Sequence, residues 1–201
     1  MNARTLEYIK SRKPQLDVLG QWVYLANART GSTSLTGDLL DDRVIIRHRG
    51  TDNWERVWNK VIVPRIDDVV LFTFVRNPWD RVVSAWKLLQ MKGRISTEES
   101  LVAFIGDGGL SDPKYEHFFR PQHLSFMTGG EIIREVTICR HESRQEDWRR
   151  IADRIGVASA LPQVNATEHE HYSAYYDVET VKIVERFYAT EIGTLGYSFG
   201  E

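Results

Sequence analysis

Residues 69–91 read VVLFTFVRNPWDRVVSAWKLLQM, and this stretch decides the fold. Its first seven residues form a continuous apolar run, which predicts a strand covered on both faces, as in a parallel sheet. The run ends at Arg76 and Asn77. Pro78 then fits the first turn of a helix, where a backbone N–H has no intrahelical partner. A helix is therefore predicted from Trp79 to about residue 91.

The rest of the chain repeats the order of strand followed by helix. Short apolar runs predict further strands at 22–26, 44–46 and 136–139. Helical spacing of apolar residues predicts helices at 35–40, 52–63, 143–155 and 178–192, and Gly156 is a natural stop for the third. Residues 93–130 predict one or two helices with loops. Alternating strands and helices indicate an α/β fold, a central parallel sheet flanked by helices, in one domain spanning 1–201.

Composition excludes several classes of protein. The net charge of −2 provides no long-range positive field, so neither nucleic acid nor an anionic membrane is expected as a partner. Cys139 is the sole cysteine, which excludes an intrachain disulfide and a thiolate metal cluster. The first residues lack the apolar run of a signal peptide, and no stretch approaches the roughly 20 apolar residues of a membrane span. A cytoplasmic protein is expected.

The first polar segment with chemical character follows strand 22–26 and precedes helix 35–40. A turn of small residues entering a helix directs several backbone N–H groups at one point, and the helix dipole adds positive potential. Gly31 lets the backbone approach an anion closely, while Arg29 adds a fixed charge. We interpret the segment as a phosphate-binding turn, although it lacks the GxxxxGK[ST] pattern. The alternative is a helix capped by Ser or Thr that binds no ligand. The segment consists of Arg29, Thr30, Gly31, Ser32, Thr33 and Ser34.

The second polar segment begins where strand 69–75 ends. Arg76 lies at the strand end, and Ser84 lies two turns into the following helix. Ligands of parallel α/β folds bind at the carboxyl ends of the strands, so these residues could hold a second phosphate beside the first. The alternative is a structural role in which Arg76 and Arg81 pair with Asp80 or with helix ends, and this alternative fits Arg81 better than Arg76.

Together, residues 29–35 and 74–84 resemble the two cofactor-binding motifs of the sulfotransferase superfamily. The similarity is greatest to the branch with carbohydrate and heparan-sulfate-type sulfotransferases and their bacterial relatives. Further similar stretches at 161–165, 175–176 and 195–199 extend the resemblance to about residues 22–199. It implies a P-loop-NTPase-like three-layer fold. It also implies transfer of a sulfuryl group from 3′-phosphoadenosine 5′-phosphosulfate (PAPS) to an acceptor hydroxyl, on a carbohydrate or small alcohol, with release of 3′,5′-bisphosphoadenosine.

The resemblance also implies roles for individual residues. Residues 29–34 would contact the 5′ side of the nucleotide, and Arg76 with Ser84 would hold its 3′-phosphate. Many relatives have Lys at the position of Arg29, where it stabilises charge on the leaving phosphate. Arg can do this electrostatic work but cannot give up a proton. No metal is expected, because the phosphosulfate carries less charge than a triphosphate and the sequence offers no compact His or carboxylate cluster.

The acceptor hydroxyl needs a base. His48 follows strand 44–46 at the same predicted edge of the sheet, and relatives commonly place a His or Glu in this region, so His48 is the predicted base. His123 and Glu142 are the alternatives. Residues 93–130 are expected to shape the acceptor pocket. The tryptophans are expected in the core, although Trp79 or Phe126 could stack on adenine.

Two other functions stay open at this point. A P-loop-type nucleotide kinase would share the fold class, but it would need a Lys in the turn and a Mg²⁺-binding Asp at a strand end, where this chain has Arg76. A catalytically inactive nucleotide-binding protein of the same fold would keep the two phosphate sites and lack a correctly placed base.

Overall fold

The computed structural model describes residues 22–31, 45–47, 69–128, 130–161 and 170–201. Strands in these residues are β1 (Trp22–Ala26), β2 (Ile45–Arg47), β3 (Val70–Val75), β4 (Met127–Thr128), β5 (Glu131–Ile132) and β6 (Val136–Arg140). The α-helices are α1 (Pro78–Met91), α2 (Leu101–Gly106), α3 (Glu116–Phe119), α4 (Arg144–Ile155), α5 (Val178–Phe187) and α6 (Ala189–Leu195). Three 3-10 helices lie at Gly109–Ser111, Gln122–Ser125 and Tyr172–Tyr175. The predicted helices at 35–40 and 52–63 lie outside the described residues.

The chain divides into two compact units. The first, here called the sheet unit, contains residues 22–27, 31, 45–47, 69–74, 125–128 and 130–161. In it β1 pairs in parallel with β2 on one side and with β3 on the other, so that Tyr24 lies opposite both Ile45 and Phe72. β6 adjoins β3, giving the order β2-β1-β3-β6. The predicted parallel α/β arrangement is confirmed for β1, β2 and β3.

The core of the sheet unit explains why its strands read as continuous apolar runs. On one face, Tyr24 and Phe72 stack with ring centroids 5.1 Å apart, and Trp148 of α4 packs against Phe72. The alternate residues Leu25 and Leu71 are also buried, so neither face of β1 or β3 is exposed. Burying side chains of this size contributes roughly 1.5–3 kcal/mol each. Strands buried on both faces cannot show the alternating pattern of a half-exposed sheet.

Buried polar contacts hold β1 and β3 together near their carboxyl ends. The Asn27 side-chain amide donates to the Thr73 hydroxyl and to the Phe74 carbonyl, each at 3.1 Å. The Thr73 hydroxyl in turn donates to the Leu25 carbonyl at 2.7 Å. These bonds satisfy polar groups that would be costly to bury alone. They also fix the point at which the chain leaves β1.

The second, here called the helical unit, contains residues 28–30, 75–124 and 170–201. Helix α1 begins at Pro78 as its first-turn residue, which confirms the predicted start. The Asn77 side chain caps the helix by accepting from the N–H groups of Trp79 and Asp80. The same amide donates to the Ser198 carbonyl at 3.1 Å. One buried side chain therefore ties the start of α1 to the C-terminal segment.

The single helix predicted over 178–192 is wrong. The structure has α5 and α6 with a break at Tyr188, whose φ of −108° and ψ of 22° depart from helical values. Tyr188 is fully buried, and its hydroxyl donates to the Phe119 carbonyl at 2.6 Å. Local helical periodicity cannot register a tertiary contact of this kind, so the sequence pattern continued through the break.

Helix α4 confirms its predicted bounds, with Gly156 in the left-handed conformation at its end (φ 72°). Residues 93–130 contain α2, α3 and short 3-10 turns, in keeping with the expected mixture of helix and loop, and also the strand β4, which was not predicted. None of the helices in the described ranges is long and apolar enough to cross a membrane. The expectation of a single domain stays a prediction.

Candidate functional site

Arg29 has an unusual backbone and an anchored side chain. Its φ is +65°, in the left-handed region that non-glycine residues seldom adopt. Both Nε and Nη2 of its guanidinium donate to the Ser84 hydroxyl, at 3.1 and 2.9 Å. The Arg29 carbonyl accepts a bond from Nη1 of Arg76 at 3.3 Å. Such a conformation persists where surrounding contacts over-determine it, and these three bonds do so here.

Arg76 follows β3 directly and precedes the cap of α1. Its Nε bonds to the Asp80 carboxylate at 2.6 Å, and its Nη1 contacts the Arg29 carbonyl. The structural alternative of an Arg76–Asp80 ion pair is therefore present. The Arg76 guanidinium also contacts the Arg29 carbonyl, so the ion pair with Asp80 is compatible with a role of Arg76 in binding phosphate.

The structure thus brings together Arg29, Arg76 and Ser84, here called the arginine cluster. Among the residues that the structure describes, two guanidinium groups and one hydroxyl meet there beside one carboxylate, that of Asp80, which leaves this group with excess positive charge. Burial lowers the pKa of Arg29, and the neighbouring charge of Arg76 lowers it further. Both effects mean that the Arg29 cation is held at an electrostatic cost. A bound anion beside it would reduce that cost.

Arg81 does not join this cluster, although it shares a face of α1 with Ser84. It is almost fully buried, and its Nη1 donates to the Phe118 carbonyl at 3.1 Å. Its Nη2 lies 3.8 Å from the buried Glu191 carboxylate, and its guanidinium lies over the Tyr188 ring. The structural role considered for Arg81 is therefore correct, with Glu191 as its acidic partner rather than Asp80.

In the sheet unit, Gly31 lies against a residue that the sequence did not indicate. Arg144, the first residue of α4, donates from Nη2 to the Gly31 carbonyl at 3.1 Å. A β-carbon built on Gly31 would lie 2.9 Å from Cζ of Arg144. Gly31 also has a φ of +85°. Glycine is thus required twice here, for its conformation and for the close approach of Arg144.

Of the remaining predicted cofactor-binding residues, the structure describes Thr30, which is fully buried. Ser32, Thr33, Ser34 and the predicted base His48 lie outside the described residues. Their roles stay predictions.

Of the alternative bases, His123 has the more informative surroundings. It belongs to the helical unit, as the arginine cluster does, and its side chain is 19% exposed. Its Nδ1 is buried and lies 3.7 Å from the Glu191 carboxylate. The same carboxylate accepts a hydrogen bond from the His123 backbone N–H at 3.3 Å. Glu142 is exposed in the turn before α4, in the sheet unit.

The two aromatic residues considered for adenine are both core residues. Trp79 is 3% exposed, and its indole N–H donates to the Val181 carbonyl at 3.2 Å. Phe126 is fully buried.

The residues that the structure describes include no group of three or more His, Cys, Asp or Glu side chains that could hold a metal ion.

Sequence reasoning missed the distant residues that contact the two predicted polar segments, within each unit separately. Gln122 hydrogen-bonds the main chain of Arg76, and Glu191 hydrogen-bonds Gln122 across 69 residues of sequence. Arg144 reaches Gly31 across 113 residues. No local spacing signals such pairs, because they come into contact only when the fold is complete.

Comparison with known proteins gives one distant structural likeness. The chain is similar to the crystal structure of a sulfotransferase from Alicyclobacillus acidocaldarius, with 12% sequence identity and a TM-score of 0.47. The match covers 90% of this chain and 96% of that one. No protein-family model matches the chain, and no curated protein is significantly similar to it in sequence. At this identity and TM-score, the likeness assigns neither family nor activity to this chain.

Proposed function

We propose that this chain is a sulfotransferase that transfers the sulfuryl group of PAPS to the hydroxyl of a carbohydrate or another alcohol. The observation that carries the proposal is the arginine cluster. Residues from both polar segments, far apart in sequence, meet there around excess positive charge with one guanidinium held at an electrostatic cost. Such a cluster favours a small, highly charged anion, and the two segments are those that resemble the cofactor-binding motifs of sulfotransferases.

In this proposal, different residues bind different parts of the nucleotide. Arg76 and Ser84 bind the 3′-phosphate. Arg29 offsets the negative charge that develops on the leaving phosphate as the S–O bond breaks, a role that needs a fixed cation and no proton transfer. The residues of the turn, Thr30 to Ser34, hold the 5′ side with backbone and hydroxyl donors.

A base accepts the proton of the acceptor hydroxyl as its oxygen attacks sulfur. His48 is proposed for this role, and His123 and Glu142 are the alternatives. Loss of transfer in His48→Ala with full activity in His123→Ala would assign the base to His48. The reverse result would assign it to His123.

Ligand-induced stabilisation tests the nucleotide. We expect 3′,5′-bisphosphoadenosine in the presence of EDTA to raise the melting temperature, and ATP without Mg²⁺ to raise it little. Stabilisation only by ATP with Mg²⁺ would contradict the proposal and support the kinase. Because mass action links stabilisation to affinity, roughly 2.7 kcal/mol is expected at a ligand concentration 100 times the Kd.

The 3′-phosphate assignment has its own test. Arg76→Ala should weaken binding of 3′,5′-bisphosphoadenosine by roughly 10- to 100-fold, since charge-assisted bonds contribute about 1.5–3 kcal/mol, and should hardly affect adenosine 5′-phosphate. Arg94→Ala is the control, because Arg94 is exposed in the same unit and lies over the Phe118 ring instead. Equal weakening of both nucleotides by Arg76→Ala would refute the assignment.

Turnover separates the enzyme from an inactive nucleotide-binding protein. Incubation with PAPS and panels of sugars, lipids and small alcohols, followed by mass spectrometry, should reveal a product heavier by one sulfuryl group. Tight binding of 3′,5′-bisphosphoadenosine with no transfer to any panel and no slow release of sulfate would favour the inactive protein.

A further inference from the structure

Gln122 pairs with the main chain of Arg76 through both ends of its side-chain amide. Its Oε1 accepts from the Arg76 N–H at 2.8 Å, and its Nε2 donates to the Arg76 carbonyl at 2.9 Å. Arg76 is the first residue after β3. The amide therefore supplies there the two hydrogen bonds that a neighbouring strand would otherwise provide. Gln122 is 1% exposed, so water does not compete for these bonds.

Glu191 determines which way this amide faces. The Glu191 carboxylate is fully buried and accepts from the Gln122 backbone N–H, from the Gln122 Nε2 at 3.0 Å and from the His123 N–H at 3.3 Å. A carboxylate can only accept, so the NH₂ end of the amide must face it. The Oε1 end is then directed to the Arg76 N–H. The reverse orientation would place two acceptors against each other and two donors against each other.

Arg81 completes the arrangement, since its guanidinium lies 3.8 Å from Glu191 and balances the buried charge. A chain of contacts thus runs from Arg81 through Glu191 and Gln122 to the backbone of Arg76. The side chains of Arg81, Glu191 and Gln122 are each no more than 1% exposed. The Gln122 amide and the Glu191 carboxylate are buried and hydrogen-bonded, and buried polar groups of this kind are rigid, so they fix the Arg76 backbone against the core of the helical unit.

We propose that Gln122 and Glu191 are positioning residues that set the direction of the Arg76 guanidinium toward the 3′-phosphate. The inference rests on the proposed function. Asp80 restrains the Arg76 side chain from one side, but the position of the Arg76 Cα depends on the amide of Gln122. Hydrogen bonds to phosphate weaken steeply with misalignment, so a small shift of this backbone would reduce 3′-phosphate binding.

The ratio of two affinities tests the proposal. The Kd values of 3′,5′-bisphosphoadenosine and adenosine 5′-phosphate are measured by calorimetry for the wild type and for Gln122→Met, which keeps the volume and removes the amide. We expect the preference for the 3′-phosphorylated nucleotide to fall about tenfold or more, the loss of roughly one good hydrogen bond, with little change for adenosine 5′-phosphate.

Gln90→Met is the matched control. Gln90 also binds the main chain through its amide, donating to the carbonyls of Ser96, Thr97 and Glu99, but it does so at the far end of α1. It should leave the preference unchanged. An unchanged preference in Gln122→Met, or equal weakening of both nucleotides, overturns the inference.

Glu191→Gln provides the second variant if Gln122→Met does not fold. It retains every heavy-atom position but places a donor against the Gln122 NH₂ group, so the amide loses its fixed orientation. We expect a smaller fall in the same preference, and full retention overturns the inference. A wild-type protein that shows no preference for the 3′-phosphorylated nucleotide refutes the proposed function instead, so the two failures are distinguishable.

Discussion

Replacing Gly31 by Ala tests the backbone conformation of Gly31 and its contact with Arg144. Two separate features of the structure oppose the substitution. The φ of +85° belongs to the region that residues with a β-carbon avoid. The new β-carbon would also lie 2.9 Å from Cζ of Arg144, too close for any real contact. The tip of a flexible side chain can move aside, but Arg144 then loses its bond to the Gly31 carbonyl.

The two effects have different magnitudes. Forcing a left-handed conformation on Ala costs roughly 1–2 kcal/mol. Losing the Arg144 bond costs about 1 kcal/mol, less than a fully buried charged bond, because this side chain is only half-buried. We therefore expect Gly31→Ala to lower the free energy of unfolding by about 2–3 kcal/mol. Arg144→Ala alone should lower it by about 1 kcal/mol.

Urea denaturation of both single variants and the double variant measures the two effects separately. In the double variant the conformational cost remains, but there is no Arg144 to displace, so we expect it to be about 1 kcal/mol more stable than the sum of the single effects predicts. Strict additivity would refute the contact. A loss below about 0.5 kcal/mol in Gly31→Ala would refute the backbone conformation.

Three further outcomes are expected. Arg29→Ala should lower the turnover of PAPS by roughly 100-fold or more, because it removes the fixed cation proposed to stabilise the leaving phosphate. The control variant Arg94→Ala should keep the wild-type rate. Equal rates for the two variants would show that Arg29 takes no part in the transfer. Asn77→Ala should lower the free energy of unfolding by roughly 2–3 kcal/mol in urea, since it removes both the cap of α1 and a buried donor, and Asn77→Asp, which keeps the capping oxygen, should lose less. Burial raises the pKa of the Cys139 thiol from 9.0 to about 12, so the folded state keeps a proton that the unfolded state releases. Stability should therefore fall as pH rises above about 9, by up to about 1.4 kcal/mol per pH unit, and a Cys139→Ala variant with the same slope would contradict this.

The elements with strong local signals were predictable. The apolar run at 69–75 and the proline after it predicted β3 and the start of α1 to within one residue. Gly156 predicted the end of α4 for the same reason, since a left-handed residue stops a helix wherever it occurs. By contrast, the break at Tyr188 depends on a hydroxyl bond to Phe119 and was missed.

For the candidate site, the sequence indicated residue types but not the partners of each side chain. Arg76 and Arg81 lie five residues apart, and the sequence favoured a structural role for Arg81 over Arg76 without indicating Glu191 as the partner of Arg81. One lies in the arginine cluster, while the other is buried against Glu191 in the core of the helical unit. Their difference arises from the surfaces that face them, and those surfaces come from α6 and from the turn after β1.

The sequence by itself determined the strands β1, β3 and β6, the start of α1, the end of α4 and the positions of the two polar segments, because backbone conformation and apolar periodicity act over a few neighbouring residues. Only the tertiary structure decided that Arg29 bonds to Ser84, that Gln122 holds the Arg76 backbone and that Arg144 lies on Gly31. Each of these contacts joins residues 46 to 113 positions apart in the chain. They form only when distant segments are brought together, since no nearby residues favour such pairs before the core has packed.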